Sequence, residues 1–413
     1  MFGERHIFAN AQLIAICLRI TAVCRILLAH SYHNVANRLL HYMSTPPAPF
    51  TCTYSPQLPE LLYQLGCSVA LTTYQAGKLI FLSALNSDVI SQLPRTFSKP
   101  MGIGFDTASG LLALACKSEV VTFANSPDLA QHYPNAPGKY DALFMPRVTY
   151  HTGSIDIHDL RFGGAADADK PTFNGGSMLP HLYAVNTLFN CLVTLDASYN
   201  FTPYWMPPQI QRVSGDDRCH LNGMAMHEGL PKYATAFGTG NEPGAWRETL
   251  LNSGVVYDVT TNEVIADGLG MPHSPKLFDG KLYLLLSATG ELVSIDPTTK
   301  QREVVCEIGG FVRGMDRIGD YVFVAQSKLR KNSSTFAKLP FAEKANRAGL
   351  VVIHLPTGAR VGELTYLASV DEIYDVHILP GIRRPNVLNT QKEIHDRGLM
   401  TPHSTFWAGQ PER

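Results

Sequence analysis

The feature that most limits what this chain can become is a repeated unit between residues 50 and 387. Each unit has a short opening of polar or small residues, an alternating apolar strand, and further strands before the next opening. The openings are SKPMGIGFD (98–106), DIHDLRFGG (156–164), CHLNGMAMH (219–227), MPHSPKLFDG (271–280), FVRGMDRIGD (311–320) and EIYDVHILPG (372–381). Measured at Gly102, Asp159, Gly223, Ser274, Gly314 and Asp375, they recur after 57, 64, 51, 40 and 61 residues. Tight turns join many of the strands: KLYLLLSATGELVSID folds back around Ala288-Thr289-Gly290, and LYAVNTLFNCLVTLD around Thr187–Asn190. Self-similarity at ~40–60 residues with about four strands per unit is the signature of propeller blades. The expected fold is an all-β propeller with six blades, seven being the alternative count. The strands near 66–85 should complete the blade opened by EIYDVHILPG, leaving no open sheet edge. A pair of β-sandwiches would use similar strands but has no need of six equivalent polar openings.

Composition narrows the class further. Of 413 residues, 45% are hydrophobic and 17% charged, which suits a large core and argues against a coiled coil or a disordered chain. Lys and Arg (34) balance Asp and Glu (35), and no basic stripe occurs, so nucleic acid is not an expected partner. The eight cysteines include no C-x-x-C pair, and Cys116 sits in apolar sequence, so a reducing, cytoplasmic setting is expected. Residues 5–59 contain no acid, and Arg19 and Arg25 interrupt the apolar stretch 11–29. No uninterrupted spanning helix results. The stretch reads as an incidental extension, a targeting segment or a surface amphipathic helix, and it is the one feature pointing toward a membrane. The division expected is an extension at 1–49, a propeller at 50–389 and a tail at 390–413.

In a propeller the first strand of each blade lines the central channel, so opening residues far apart in sequence should meet around one axis. This geometry gathers three candidate general acids or bases, His158, His220 and His273. The candidate ligand-binding residues are Arg313, Asn222, Asp316, Asp159 and, from the Gly-rich loop FGTGNEPGAWRE (237–248), Trp246. Arg313 in particular offers a fork for a carboxylate or phosphate. Glu372 and Asp375 are the candidate ligands for a divalent cation. The competing reading is that such polar groups satisfy one another and trapped water. No phosphate loop, H-E-x-x-H, G-x-S-x-G or Rossmann signature occurs.

The segments TYQAGKLIFLS (73–83), LYAVNTLFNCLVTLD, CHLNGMAM, DGKLYLLLSATGELVSIDP, GFVRGMDRIGDYVFV and EIYDVHILPGIRRPN together resemble a conserved hypothetical protein family with a domain of unknown function. The resemblance spans about 50–389 and implies a six-bladed propeller without an established activity. More distantly, the layout is similar to gluconolactonase and NHL-type propellers, in which polar groups at one end of the axis hold a divalent cation. Asn222, Glu372 and Asp375 are the nearest matches to that cation set. Two functions follow. One is a small polar or anionic ligand bound at the channel, with metal-dependent hydrolase or lyase chemistry. The other is a non-catalytic scaffold for a protein, peptide or glycan.

Overall fold

A computed structural model describes residues 47–164, 181–329, 336, 342 and 345–409 of the chain. The apolar stretch 11–29 lies outside the described residues. The main compact unit begins at Cys52. Among the described residues no helix is long and apolar enough to cross a membrane.

Six antiparallel sheets form the blades of a propeller, and each sheet's innermost strand begins at one of the six openings. In blade order these inner strands are Val376–Pro380, Ile103–Asp106, Ile157–Gly163, Leu221–His227, Pro272–Phe278 and Phe311–Ile318. They neighbour one another in a closed ring. Blade 1 joins the two ends of the domain: Val376–Pro380 pairs with Cys67–Thr73, followed outward by Lys78–Ala84 and Ile90–Thr96. Two more clasps reinforce the closure. Cys52–Tyr54 adds a fifth strand to blade 6 beside Ala359–Tyr366, and Pro385–Val387 adds one to blade 2 in parallel with Ala142–Tyr150. Residues past 389, set apart from the domain on sequence grounds, fold back on blade 2. There the hairpin Gly398–Met400/Thr405–Trp407 packs Trp407 against Leu129 and Tyr133.

The strands are apolar on both faces because blades stack face to face. Strand Lys281–Leu286 shows how alternation serves two interfaces at once. Leu282, Leu284 and Leu286 enter the cluster shared with blade 4, while Leu285 enters the one shared with blade 6.

The six spacing positions explain why each opening carries a polar or a small residue. At alternate junctions a side chain accepts a backbone N–H from the next inner strand. Asp159 Oδ2 accepts from Met224 at 3.1 Å, Ser274 Oγ from Gly314 at 2.9 Å and Asp375 Oδ2 from Ile103 at 3.0 Å. At the other three junctions a glycine lets the backbones approach. A Cβ on Gly102 would lie 3.0 Å from Asp159 Cα, one on Gly223 2.4 Å from Pro275 Cδ, and one on Gly314 2.8 Å from Asp375 Cα. Inner strands therefore dock by two devices in strict alternation.

This alternation predicts unequal tolerance among glycines. Gly223→Ala would drive its methyl into the rigid Pro275 ring and should cost about 2 kcal/mol or more in urea unfolding. Gly164→Ala meets nothing within 4 Å and should stay within about 0.5 kcal/mol of the parent. Equal stabilities for the two variants would refute the close-approach role.

Candidate functional site

Aligned on the six spacing positions, the residue just before each forms one tier of the channel: Met101, His158, Asn222, His273, Arg313 and Tyr374. Three residues further along each strand, a deeper tier comprises Gly104, Arg161, Ala225, Lys276, Asp316 and His377. The two tiers differ in kind. The upper one opens into a cavity of about 170 Å³ lined by His158, His273, Arg313 and Tyr374, with His220, Asp156, Lys328 and Glu372 at its rim and Phe237, Met271 and Phe311 on its apolar side. The lower one carries buried charges: Arg161 pairs with Asp159, Asp316 pairs with His377, and Lys276 lies in the field of Asp159, Asp316 and Asp375.

The carboxylates separate along this division. Asp159 is fixed by Arg161 Nη2 at 3.0 Å and by the amides of Leu160 and Met224. Asp375 accepts from the amides of Ile103 and Val376 and lies 4.0 Å from Arg161 Nη1. Asp316 pairs with His377 Nδ1 at 2.9 Å and accepts from the amides of Arg317 and Ile378. Burial alone would raise the Asp316 carboxyl, but His377, Lys276 and the Ile378 amide together hold the group well below the usual range. None of these three residues lines the cavity. Asn222 is also spoken for: its amide donates to the His220 carbonyl and its oxygen accepts from Thr235.

The cavity's own residues are arranged as a belt of rings. His158 stands edge-on to Tyr374 at 5.5 Å and to His220 at 4.9 Å between ring centroids. His220 packs against Phe237 at 4.5 Å and Trp246 at 4.2 Å, which also touch each other at 5.4 Å, and Phe237 meets His273 at 5.0 Å. Trp246 is therefore buried behind His220 and does not stack over an open channel mouth. Every histidine of the belt has its Nδ1 engaged from behind. His158 Nδ1 lies 3.1 Å from the Asp156 carbonyl oxygen, His220 Nδ1 3.0 Å from the Asp217 carboxylate, and His273 Nδ1 2.7 Å from Ser287 Oγ. Burial would raise the Asp217 carboxyl; the hydrogen bond and charge of His220 reverse that and lower it.

Arg313 completes the wall. Its guanidinium carbon sits 3.3 Å from the centroid of the Tyr374 ring, over its face. Neither Arg313 Nη2 nor the Tyr374 hydroxyl, both buried, finds a hydrogen-bond partner among the described residues. Burial, reinforced by the charges of Arg313 and His220 and opposed by Asp156, pushes the His158 imidazole down to about 3. Burial and then Arg313 push His273 well below its ordinary value.

The cation expected at Glu372 and Asp375 does not fit this donor set. Glu372 faces the cavity, while both Asp375 oxygens accept backbone N–H groups at a blade junction. Among the described residues no group of three or more His, Cys, Asp or Glu side chains is placed to hold a metal ion. Thiol chemistry has no candidate here either: Cys67, Cys116 and Cys191 are pushed up to about 12 by burial. Sequence reasoning brought His158, His220, His273, Arg313 and Glu372 to one cavity but passed over Tyr374, Asp217 and Ser287. Tyr374 was findable, since it occupies the same register as His158, His273 and Arg313. Asp217 and Ser287 lie outside the repeat register that was tracked.

A family model described as "Domain of unknown function (DUF4915)" matches residues 56–388. One solved structure, a chain in the crystal structure of a nidogen/laminin complex, is 10% identical, with 76% of this chain and 99% of that chain covered at a TM-score of 0.47. Another, a protein of unknown function from Bacteroides caccae, is 9% identical, with 76% and 98% covered at a TM-score of 0.44. No curated protein matches the chain.

The neutral histidines make acid stability a readout of the site. In the unfolded chain these imidazoles titrate near 6.5, whereas folded His158 stays neutral down to about 3. The unfolded state then binds more protons, so stability falls as pH drops from about 6.5, by up to roughly 1.4 kcal/mol per pH unit for each such histidine. Between pH 6.5 and 4.5 the low-lying carboxylates Asp217 and Asp316 do not yet contribute. Urea midpoints should decline across that window, and His158→Gln should flatten the decline. A slope unchanged by the substitution would show that His158 is not held neutral.

Proposed function

The chain belongs to the DUF4915 family, whose model spans most of its length, and we propose that its propeller binds a small anionic metabolite in the cavity at the upper end of the channel. The observation that carries this reading is the buried Arg313 Nη2, which lacks a hydrogen-bond partner among the described residues. A charged donor left unmade away from water is costly, and a carboxylate or phosphate oxygen is its natural complement. The other nearby cation, Lys328, is paired with Asp371 at 2.6 Å, so the unmet demand belongs to Arg313. Size supports a metabolite over a macromolecule: about 170 Å³ holds roughly six waters at ~30 Å³ each.

Hydrolase or lyase chemistry is a second reading, favoured by the His220–Asp217 contact of 3.0 Å. An aspartate behind Nδ1 orients the ring and supports a positive charge on it, the arrangement a general base needs. In that reading His220 moves the proton, Arg313 holds the anionic group, and the aromatic belt limits water.

A thermal-shift panel of small carboxylates and phosphates tests the proposal. A true ligand at 100 times its Kd should stabilise the protein by about 2.7 kcal/mol, and Arg313→Gln should abolish the shift while leaving the unliganded melting temperature within a few degrees. If no small anion shifts the melting temperature at millimolar concentration, or if the shift survives Arg313→Gln, the anion site is refuted.

A further inference from the structure

The way the two buried histidines are tethered restricts the ligand beyond its charge. We infer that the cavity selects an anion carrying a neutral hydroxyl beside the charged group, a hydroxycarboxylate, over the same anion without the hydroxyl. This rests on the anion reading above.

The argument starts from proton counting. Ser287 Oγ has one hydrogen, and it donates it to the Val312 carbonyl at 2.6 Å, a stitch between blades 5 and 6. Its 2.7 Å contact with His273 Nδ1 must therefore be one in which the hydroxyl oxygen accepts, which places the ring proton on Nδ1. His158 Nδ1 faces a backbone carbonyl, an obligate acceptor, and so carries its proton as well. Both rings are held neutral by burial. Each consequently turns to the cavity an Nε2 that can only accept, and neither Nε2 makes a hydrogen bond among the described residues.

Among the described residues the wall thus offers two unpaired donors, the Arg313 guanidinium and the Tyr374 hydroxyl, and two imidazole acceptors, His158 and His273. An anion with no donor of its own satisfies Arg313 but presents lone pairs to lone pairs at the imidazoles. A ligand with a hydroxyl one or two bonds from its carboxylate satisfies both. An ammonium in place of the hydroxyl also donates, but the Arg313 charge that disfavours protonation of both rings would oppose a second cation there. The hydroxyl is the donor that fits. Sites built around a ligand hydroxyl reject the analogue lacking it, because their own polar groups are left unpaired.

Matched probes on the full chain test the inference: lactate, propionate and alanine, with 3-hydroxybutyrate and butyrate as a second pair. Melting shifts and titration of Trp246 emission, read in a Trp205→Phe/Trp407→Phe background, report binding. Lactate or 3-hydroxybutyrate should bind about tenfold or more tightly than its deoxy partner, and alanine should bind more weakly than lactate. Ser287→Ala, which frees His273 to carry its proton on Nε2, should narrow the hydroxyl preference several-fold. Because Ser287 also joins two blades, selective ¹⁵N-histidine labelling of the unsubstituted chain gives an independent readout. With His273 identified by its loss in His273→Asn, its Nε2 should resonate as an unprotonated nitrogen from pH 5 to 8. Equal binding of hydroxy and deoxy acids overturns the inference and leaves the anion site standing, as does tighter binding of alanine. Protonated His273 Nε2 also overturns it. Failure of every acid in the set overturns the inference, and failure of inorganic phosphate as well removes the anion reading itself.

Discussion

The contact on which everything else depends is the docking of one inner strand against the next. A radial assembly has no central packing core along its axis; the strands that meet there must satisfy their backbone groups across blade boundaries. This chain does so with acceptor side chains at Asp159, Ser274 and Asp375, and with bare backbone at Gly102, Gly223 and Gly314. Buried carboxylates used this way are saturated by amide donors and by Arg161, so they hold the ring together at the expense of any freedom to bind. The carboxylates at and beside the deeper tier are consequently committed, while among the described residues the upper tier retains an unpaired Arg313 nitrogen and Tyr374 hydroxyl.

The architecture was largely legible because its physical causes are periodic. Face-to-face stacking demands runs such as KLYLLL that are apolar on both sides, and the axial crossings demand small or acceptor residues at one register, so both leave marks at regular intervals. The strand-swapped closure was legible for the same reason, since a final opening without following strands has to find its partners at the other end of the chain. The clasp made by Pro385–Val387 and the hairpin carrying Trp407 was not, because non-repeating contacts leave no interval to detect.

The site was half legible. Which residues converge follows from register, and Tyr374 could have been added by the rule that found His158, His273 and Arg313. What a polar residue does after convergence does not follow from register. Asp159 and Arg313 look equally available in a linear string; one saturates its oxygens on two amides and a guanidinium, while the other lies over an aromatic face with a nitrogen unpaired. That distinction depends on ångström-scale geometry two elements away. So does the tautomer of His273, set by a serine whose proton is committed to a neighbouring blade.

The order of the chain gives the closing strand a significance beyond stability. Glu372 and Tyr374 immediately precede Val376–Pro380, the last piece of the ring, while His158, His220, His273 and Arg313 come earlier. During synthesis every other wall of the cavity can emerge and pair locally, yet the aromatic face under the guanidinium arrives only with the segment that seals the circle. A polypeptide ending before that point would lack Glu372, Tyr374 and the inner strand of blade 1. The cavity is therefore complete only once the closing segment has taken its place in the ring.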